Sequence, residues 1–243
     1  MSLPGGPSVS PPRYVVMLSG GLDSAVNLLM ARCYGLVELA ITVDYGQRSA
    51  AREMAKAREL AETWGVDHLA VDARWLGDLA EVRCALFPQG PDLPEMTAGE
   101  VAEKASEETA ARVWVPNRNG LLANIGACAA EARGADQVIF GFNREEAATF
   151  PDNSSSFIRA LNQALELSTR NRVRVASFTV NMDKVEIVET ALGLGLDWLH
   201  IWSCYNGADE MCGRCESCAR LARAAREAGA AHLVESLFRP SGS

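Results

Sequence analysis

The chain has 243 residues, 48% hydrophobic and 22% charged, which suits one large domain with a packed core. Its formal charge of −8 works against tight binding to a nucleic-acid backbone, where Lys and Arg must neutralise phosphates, but leaves room for a local nucleotide pocket. No run approaches the roughly 20 apolar residues that cross a bilayer.

Residues 1–13 are rich in Pro, Gly and Ser and lack the apolar centre of a secretory signal. They are expected to be a disordered lead-in to a cytoplasmic protein with no membrane partner. Residues 14–19 then read as a buried strand and 23–34 as a helix. A second strand follows over "VELAITVDYG", ending at Asp44, and a long amphipathic helix over "SAAREMAKARELAETWG", closed by Gly65. "DHLAVDA" is a short third strand, and this alternation predicts a parallel sheet covered by helices.

From Cys84 to Arg112 the periodicity is lost among prolines and charges, so residues 85–112 are expected to be a mobile loop with at most one helical turn, of the kind that closes over a site. Order returns with a loop and helix over "VPNRNGLLANIGACAAEARGA" and a strand over "DQVIFGFN". The helix "SFIRALNQALELST" and the strand "VRVASFTV" come next, then the helix "DKVEIVETALGLG" with Asp183 as N-cap. A last helix spans about Glu216 to Ala228. The expected fold is α/β: a parallel five-stranded sheet with helices on both faces over residues 14–200, then a C-terminal cysteine segment over 201–243.

Between the first strand and first helix stands Ser19-Gly20-Gly21-Leu22-Asp23-Ser24. No Lys follows, which excludes a Walker A loop, and the third glycine of a dinucleotide fingerprint is absent. What remains are glycine N–H groups, the hydroxyls of Ser19 and Ser24, and a helix N-terminus, a set suited to pyrophosphate. Asp23 is unfavourable beside an anion unless Mg²⁺ bridges the two, so it points to a metal–nucleotide complex.

Of the seven cysteines, Cys33, Cys84 and Cys128 read as small buried hydrophobes. Cys204, Cys212, Cys215 and Cys218 form C-x₇-C-x₂-C-x₂-C, a spacing that suits tetrahedral structural Zn²⁺, with an iron–sulfur cluster as the alternative. Trp198, Trp202 and Tyr205 are expected to pack around this knuckle, and His200 and His232 to be structural.

In its strand–loop–helix setting, "SGGLDS" resembles the SGGxDS loop of the PP-loop (N-type) ATP pyrophosphatases, with their adenine nucleotide alpha hydrolase-like fold. Four further stretches narrow the resemblance: "VDYGQRS" (43–49), "VPNRN" (115–119), "GFNREEAATFPD" (141–152) and "WSCYNGADEMCGRCESC" (202–218). In this order they resemble the 7-cyano-7-deazaguanine synthase (QueC) family, whose members read SGGxDS, DYGQRH, VPGRN, GxNxxDxxxYPDC and CYxG…CGxCxxC. The resemblance covers about residues 14–222.

It implies an ATP-dependent carbon–nitrogen ligase that adenylates 7-carboxy-7-deazaguanine and converts it with ammonia through the amide to the nitrile, 7-cyano-7-deazaguanine, for queuosine or a related deazapurine. Carried over by motif, Met17, Leu18, Ser19, Gly20, Gly21, Leu22, Asp23 and Ser24 hold ATP, with Asp44, Tyr45 and Gln47 at its adenine and ribose. Lys184, Asp23 and Arg118 form the catalytic set, Lys184 meeting the α-phosphate or the developing negative charge. The planar fork of Arg118 suits a phosphate or carboxylate. With Asn119, Gly141, Asn143, Phe150 and Asp152 it would bind the acid. Blander readings make Lys184 a solvated helix residue, Arg118 a surface salt bridge and Asp152 a helix-capping carboxylate. Family members are commonly homodimers, though no feature of this sequence establishes that.

The chain departs from the family pattern at Phe150 (Tyr), Asn153 (Cys), Asn117 (Gly) and Ser49 (His). The departures leave open a QueC-like enzyme that stops at the amide or joins the acid to another amine, a protein amine in antiviral defence included. A non-catalytic nucleotide-binding module is the alternative of another class, opposed by the intact Asp23 and Lys184. A tRNA-thiolating relative fits poorly with the acidic balance.

Overall fold

The computed structural model describes residues 10–79, 84–96 and 107–238. Five parallel strands, β1 (Arg13–Met17), β2 (Leu36–Asp44), β3 (His68–Asp72), β4 (Gln137–Ile139) and β5 (Arg174–Ala176), lie in the order β3-β2-β1-β4-β5. Because strand side chains alternate between faces, β1 serves two cores. Val16 and Leu18 pack against α1 (Leu22–Tyr34), α2 (Ala50–Thr63), α8 (Lys184–Gly193) and α9 (Glu216–Glu227). Val15 and Met17 pack against α5 (Arg118–Arg133) and α7 (Ser155–Ser168). Helices on both faces of a parallel five-stranded sheet are the expected architecture.

From β1 the chain builds outward through β2 to β3, then crosses back to place β4 on the other side of β1. The strand order therefore reverses between β1 and β4, and the crevice at their C-terminal ends is where open α/β sheets take ligands.

Local signals explain most element ends. Asp183 caps α8 through a reciprocal capping box with Glu186, and Gly134 closes α5 in the left-handed region at φ 63°. The last two strands are shorter than the sequence predicts: after Ile139 the chain leaves the ladder to form the site, and after Ala176 it turns so that Ser177 and Thr179 donate to the Phe142 carbonyl. Short helices α3 (Trp75–Leu79), α6 (Arg144–Ala147) and α10 (Ala231–Glu235) carry too few residues to show a period.

Three further expectations are corrected. Arg13, assigned to the lead-in, starts β1, held by its N–H to Asp136 and its guanidinium to Glu38, both at 2.8 Å; residues 1–9 lie outside the described residues. Within the expected loop 85–112, residues 84–96 are packed turns and α4 (Glu107–Val113) is helical, while 97–106 lie outside the described residues. Cys84, Ala85, Leu86 and Phe87 are buried there with Tyr45, Leu76, Val113 and Val115. Arg48 ties the segment down by donating to the Ala85 and Gly90 carbonyls, and the Met96 N–H donates to the Arg214 carbonyl at 2.7 Å. These bonds leave no sequence period, which is why the segment reads as loop. Finally, Cys84 is buried as expected, but Cys33 and Cys128 are exposed on helix surfaces.

Candidate active site

A cavity of about 250 Å³ opens at the C-terminal ends of β1, β2 and β4. Its floor is the β1–α1 turn. Gly20 adopts φ 77°, and a Cβ there would meet the Glu53 carbonyl oxygen and the Lys56 Cβ at 3.0 Å, so only glycine fits without strain. The Gly20 carbonyl accepts from the Trp202 N–H at 2.8 Å, which fixes the far side of the turn to the C-terminal segment. Ser24 Oγ donates to the Gly21 carbonyl at 2.9 Å and accepts from the Ser19 N–H at 3.2 Å, with Ser19 Oγ 3.1 Å away. Gly21 begins α1 with no side-chain cap, leaving the first-turn N–H groups and the helix dipole for an anion.

Behind this turn stands a buried ion pair. Lys184 Nζ donates to Asp23 Oδ2 at 2.6 Å, the same oxygen accepts from Asn143 Nδ2 at 3.0 Å, and Oδ1 is buried without a partner among the described residues. Burial raises the Asp23 carboxyl above its ordinary value although Lys184 opposes this. Burial works against the Lys184 charge, but Asp23 and Glu146 outweigh it and keep the ammonium protonated. Glu146 Oε1 lies 3.5 Å from the same Nζ. Gly141 lets β4 approach this corner: a Cβ there would lie 2.8 Å from the Ser24 nitrogen and 3.0 Å from the Asp23 carbonyl carbon.

The opposite end is built from side chains. Arg118 donates to the Tyr45 hydroxyl and to Asn119 Oδ1, each at 3.3 Å, with its guanidinium 5.7 Å from the Tyr45 ring centre. Burial raises the Tyr45 hydroxyl pKa against the pull of Arg118. Glu53 also lines the cavity, and burial pushes its carboxyl up even though Ser49 Oγ donates to it at 2.6 Å and Gln47 Nε2 at 2.9 Å. Asn153, Tyr205 and Ser217 also line the cavity, as do Trp202 and Ser203 beside the β1–α1 turn.

Of the residues predicted from sequence, Met17, Leu18, Ser19, Gly21, Leu22, Asp23, Ser24, Tyr45, Arg118, Asn119, Gly141 and Lys184 line the cavity. Gly20 supports it through the backbone, and Asn143, fully buried, braces Asp23 and caps α6. Gln47 accepts from the Tyr45 N–H at 2.9 Å and so shapes the β2 turn from within. Asp44 faces the Gly46 N–H and Arg74. Phe150 stacks on Trp114 with ring centres 6.4 Å apart. Asp152 touches the site through Asn119, which donates to its carbonyl at 3.3 Å; burial raises its carboxyl, opposed by Arg118.

The blander readings do not hold. Lys184 is 7% exposed, Arg118 has no ion pair among the described residues, and the cap of α7 is Ser154. Neither His200 nor His232 reaches the cavity wall. Glu53 and Glu146 were missed, since a glutamate in a helix ordinarily reads as a solvated face. For Glu146 a signal existed: the GxNxxDxxxYPDC pattern carries a carboxylate at that position.

The sulfurs of Cys204, Cys212, Cys215 and Cys218 lie within 4.8 Å of one another and are able to hold a metal ion. Backbone N–H groups of Asn206 and Cys212 donate to Cys204 Sγ, and those of Arg214 and Cys215 to Cys212 Sγ, at 3.3–3.4 Å, as thiolates require. The knuckle sits against the phosphate turn. Arg52 of α2 donates to the Ala208 carbonyl at 3.0 Å and stands 5.6 Å over the Trp202 ring.

The sheet order, the glycine–serine turn at the β1–α1 crossover and the acid–lysine pair behind it define a PP-loop α/β protein. The family model described as "Queuosine biosynthesis protein QueC" matches residues 13–229, and the chain belongs to that family. The 7-cyano-7-deazaguanine synthase of Desulforudis audaxviator (strain MP104C) is 50% identical over 216 residues, 88% of this chain and 97% of that one. Those of Pelotomaculum thermopropionicum (48%, covering 89% and 98%) and Desulforamulus reducens (47%, covering 88% and 94%) are similar over the same extent. The chain is an enzyme of the QueC type. Among the described residues no helix is long and apolar enough to cross a membrane.

Proposed function

We propose that this enzyme adenylates 7-carboxy-7-deazaguanine with ATP and lets ammonia displace AMP to give the amide, which a second adenylation dehydrates to 7-cyano-7-deazaguanine. The observation that carries the reading is one cavity with an anion-binding turn at one end and, at the other, an arginine without an ion-pair partner among the described residues. A carboxylate is a poor electrophile because hydroxide leaves badly; AMP leaves well. Catalysis then comes from positioning and from neutralising phosphate charge.

In this reading the α1 N-terminus, Gly21 and the hydroxyls of Ser19 and Ser24 take the pyrophosphate. Lys184 meets negative charge at the α-phosphate, and Arg118 holds the carboxylate or its adenylate. The unpartnered Asp23 Oδ1 fits one ligand position of Mg²⁺, which when bound would screen the phosphates from the Asp23 carboxylate. The four thiolates suit structural Zn²⁺, since all four positions of a tetrahedron are filled by protein. Zinc there would brace the Trp202–Gly20 contact and leave the chemistry to the cavity.

Pyrophosphate release measured with and without 7-carboxy-7-deazaguanine tests the activation step. Acid-dependent release is expected, and its absence would end the proposal. Mass spectrometry of the products then separates nitrile, amide and any conjugate to another amine, and elemental analysis is expected to find one zinc per chain.

A further inference from the structure

Glu145 and Glu146 are neighbours in α6, yet their carboxylates go opposite ways. That of Glu145 is taken up by α9, with Arg220 Nη1 and Arg223 Nη2 donating to it at 2.7 Å. That of Glu146 lines the cavity and accepts no hydrogen bond from the described residues; its cation neighbour is Lys184 Nζ at 3.5 Å. Its direction is fixed on both sides, because its N–H donates to Asn143 Oδ1 at 2.7 Å and the adjoining Glu145 is clamped.

Lys184 already has a closer partner in Asp23 at 2.6 Å. Glu146 therefore brings a second negative charge to a wall that holds a single ammonium among the described residues, with the Arg220 guanidinium of α9 also acting on it, and it stays about 30% exposed. Such a carboxylate is matched to a cation delivered by the reaction. The Mg²⁺ read at Asp23 Oδ1 would be satisfied by that one carboxylate, phosphate oxygens and water, so it does not call for Glu146 as well. A nitrogen nucleophile brings less charge and acquires it only as it attacks, where a carboxylate with a free oxygen is needed.

We propose that Glu146 is the catalytic carboxylate of nitrogen transfer: it holds ammonia or a primary amine by its N–H groups and takes a proton from that nitrogen. This rests on the acyl-adenylate reading above. The nitrogen lone pair forms the C–N bond, the bond from the acyl carbon to the AMP oxygen breaks, and its electron pair leaves with AMP. One N–H proton passes to the Glu146 carboxylate and from there to water, so that acyl adenylate plus amine gives amide, AMP and a proton.

The test compares the wild-type chain with Glu146→Gln and Glu146→Asp in two assays at saturating ATP and 7-carboxy-7-deazaguanine. The first is acid-dependent exchange of labelled pyrophosphate into ATP, which reports adenylation alone. The second is product formation against ammonium chloride concentration. Glu146→Gln is expected to retain acid-dependent exchange while product formation per ammonium falls roughly a hundredfold further, the range of a lost general base. Glu146→Asp should recover part of the loss with a changed pH profile for ammonium. Retained exchange also shows that the variant is folded.

Product formation unchanged in Glu146→Gln, or exchange and product formation lost in parallel in both variants, overturns the assignment. If the wild-type chain itself shows no acid-dependent exchange, the adenylation reading falls and takes this one with it. Normal wild-type exchange beside an unaffected variant overturns this proposal alone.

Discussion

At one end of the cavity the groups offered to a ligand come from a single stretch, Ser19 to Ser24, and most of them are backbone N–H groups and hydroxyls. At the other end Tyr45, Glu53, Arg118, Asn153 and Tyr205 arrive from five separated segments and act through their side chains. The first end depends on a turn that requires glycine at position 20 and on a buried acid–lysine pair, so it tolerates little change. The second depends on hydrogen bonds of 3.3 Å from the half-buried Arg118 to the side chains of Tyr45 and Asn119, and it can be retuned one residue at a time.

The sharpest way to break the contrast is Lys184→Ala. It leaves the Asp23 carboxylate buried with only Asn143 to satisfy it, so a loss of about 3–5 kcal/mol in denaturant unfolding is expected. Adenylation should fall roughly 10²–10³-fold through the lost charge stabilisation. Adding Asp23→Asn should restore part of the stability and none of the activity. Equal stability of Lys184→Ala and wild type would show that the pair is not a buried unit.

Gly141→Ala comes next, because it separates backbone fit from side-chain chemistry. The new Cβ would lie 2.8 Å from the Ser24 backbone nitrogen, and one side must shift. A cost of about 1–3 kcal/mol is expected from such overpacking. Nucleotide affinity, read by calorimetry, should weaken more than affinity for the acid. An equal weakening of both would mean that the two ends are mechanically one.

How much of this was legible follows the same divide. "SGGLDS" could be read because its ligand groups are contiguous and its strand and helix have clear periods. The cysteines could be read because metal geometry restricts their spacing. Glu53 and Glu146 could not, since nothing local distinguishes them from solvent-facing glutamates until α2 and α6 are docked. Cys33 and Cys128 differ from expectation for the mirror reason: an apolar neighbourhood in sequence reads as burial, but they fall on the outward faces of α1 and α5. Residues 84–96 lacked any period because Arg48 and Arg214 hold them through their carbonyls and N–H groups.

Arg118→Lys probes the adaptable end. It keeps the charge but loses the planar fork that reaches Tyr45 and Asn119 together. The KM for the acid should rise roughly tenfold, equivalent to about 1.4 kcal/mol, while the KM for ATP holds. If both constants rise together, Arg118 belongs to the phosphate end.

The smallest effect is expected where the two ends are joined, at Glu145 between α6 and α9. Burial alone would raise its carboxyl, but Arg223 and Arg220 together hold it below the ordinary 4.5. A carboxyl lowered in the folded state gives stability that is present above its unfolded value and is lost as pH falls through the folded one. Glu145→Gln should therefore be less stable than wild type at pH 7, on the order of 1 kcal/mol for partly exposed pairs. The two stability curves should converge as the pH drops below 4.5, because wild type then surrenders what the variant never had. Parallel curves from neutral to acid pH would mean that the arginines hold Glu145 by shape alone, and that α9 is kept in place by its apolar face.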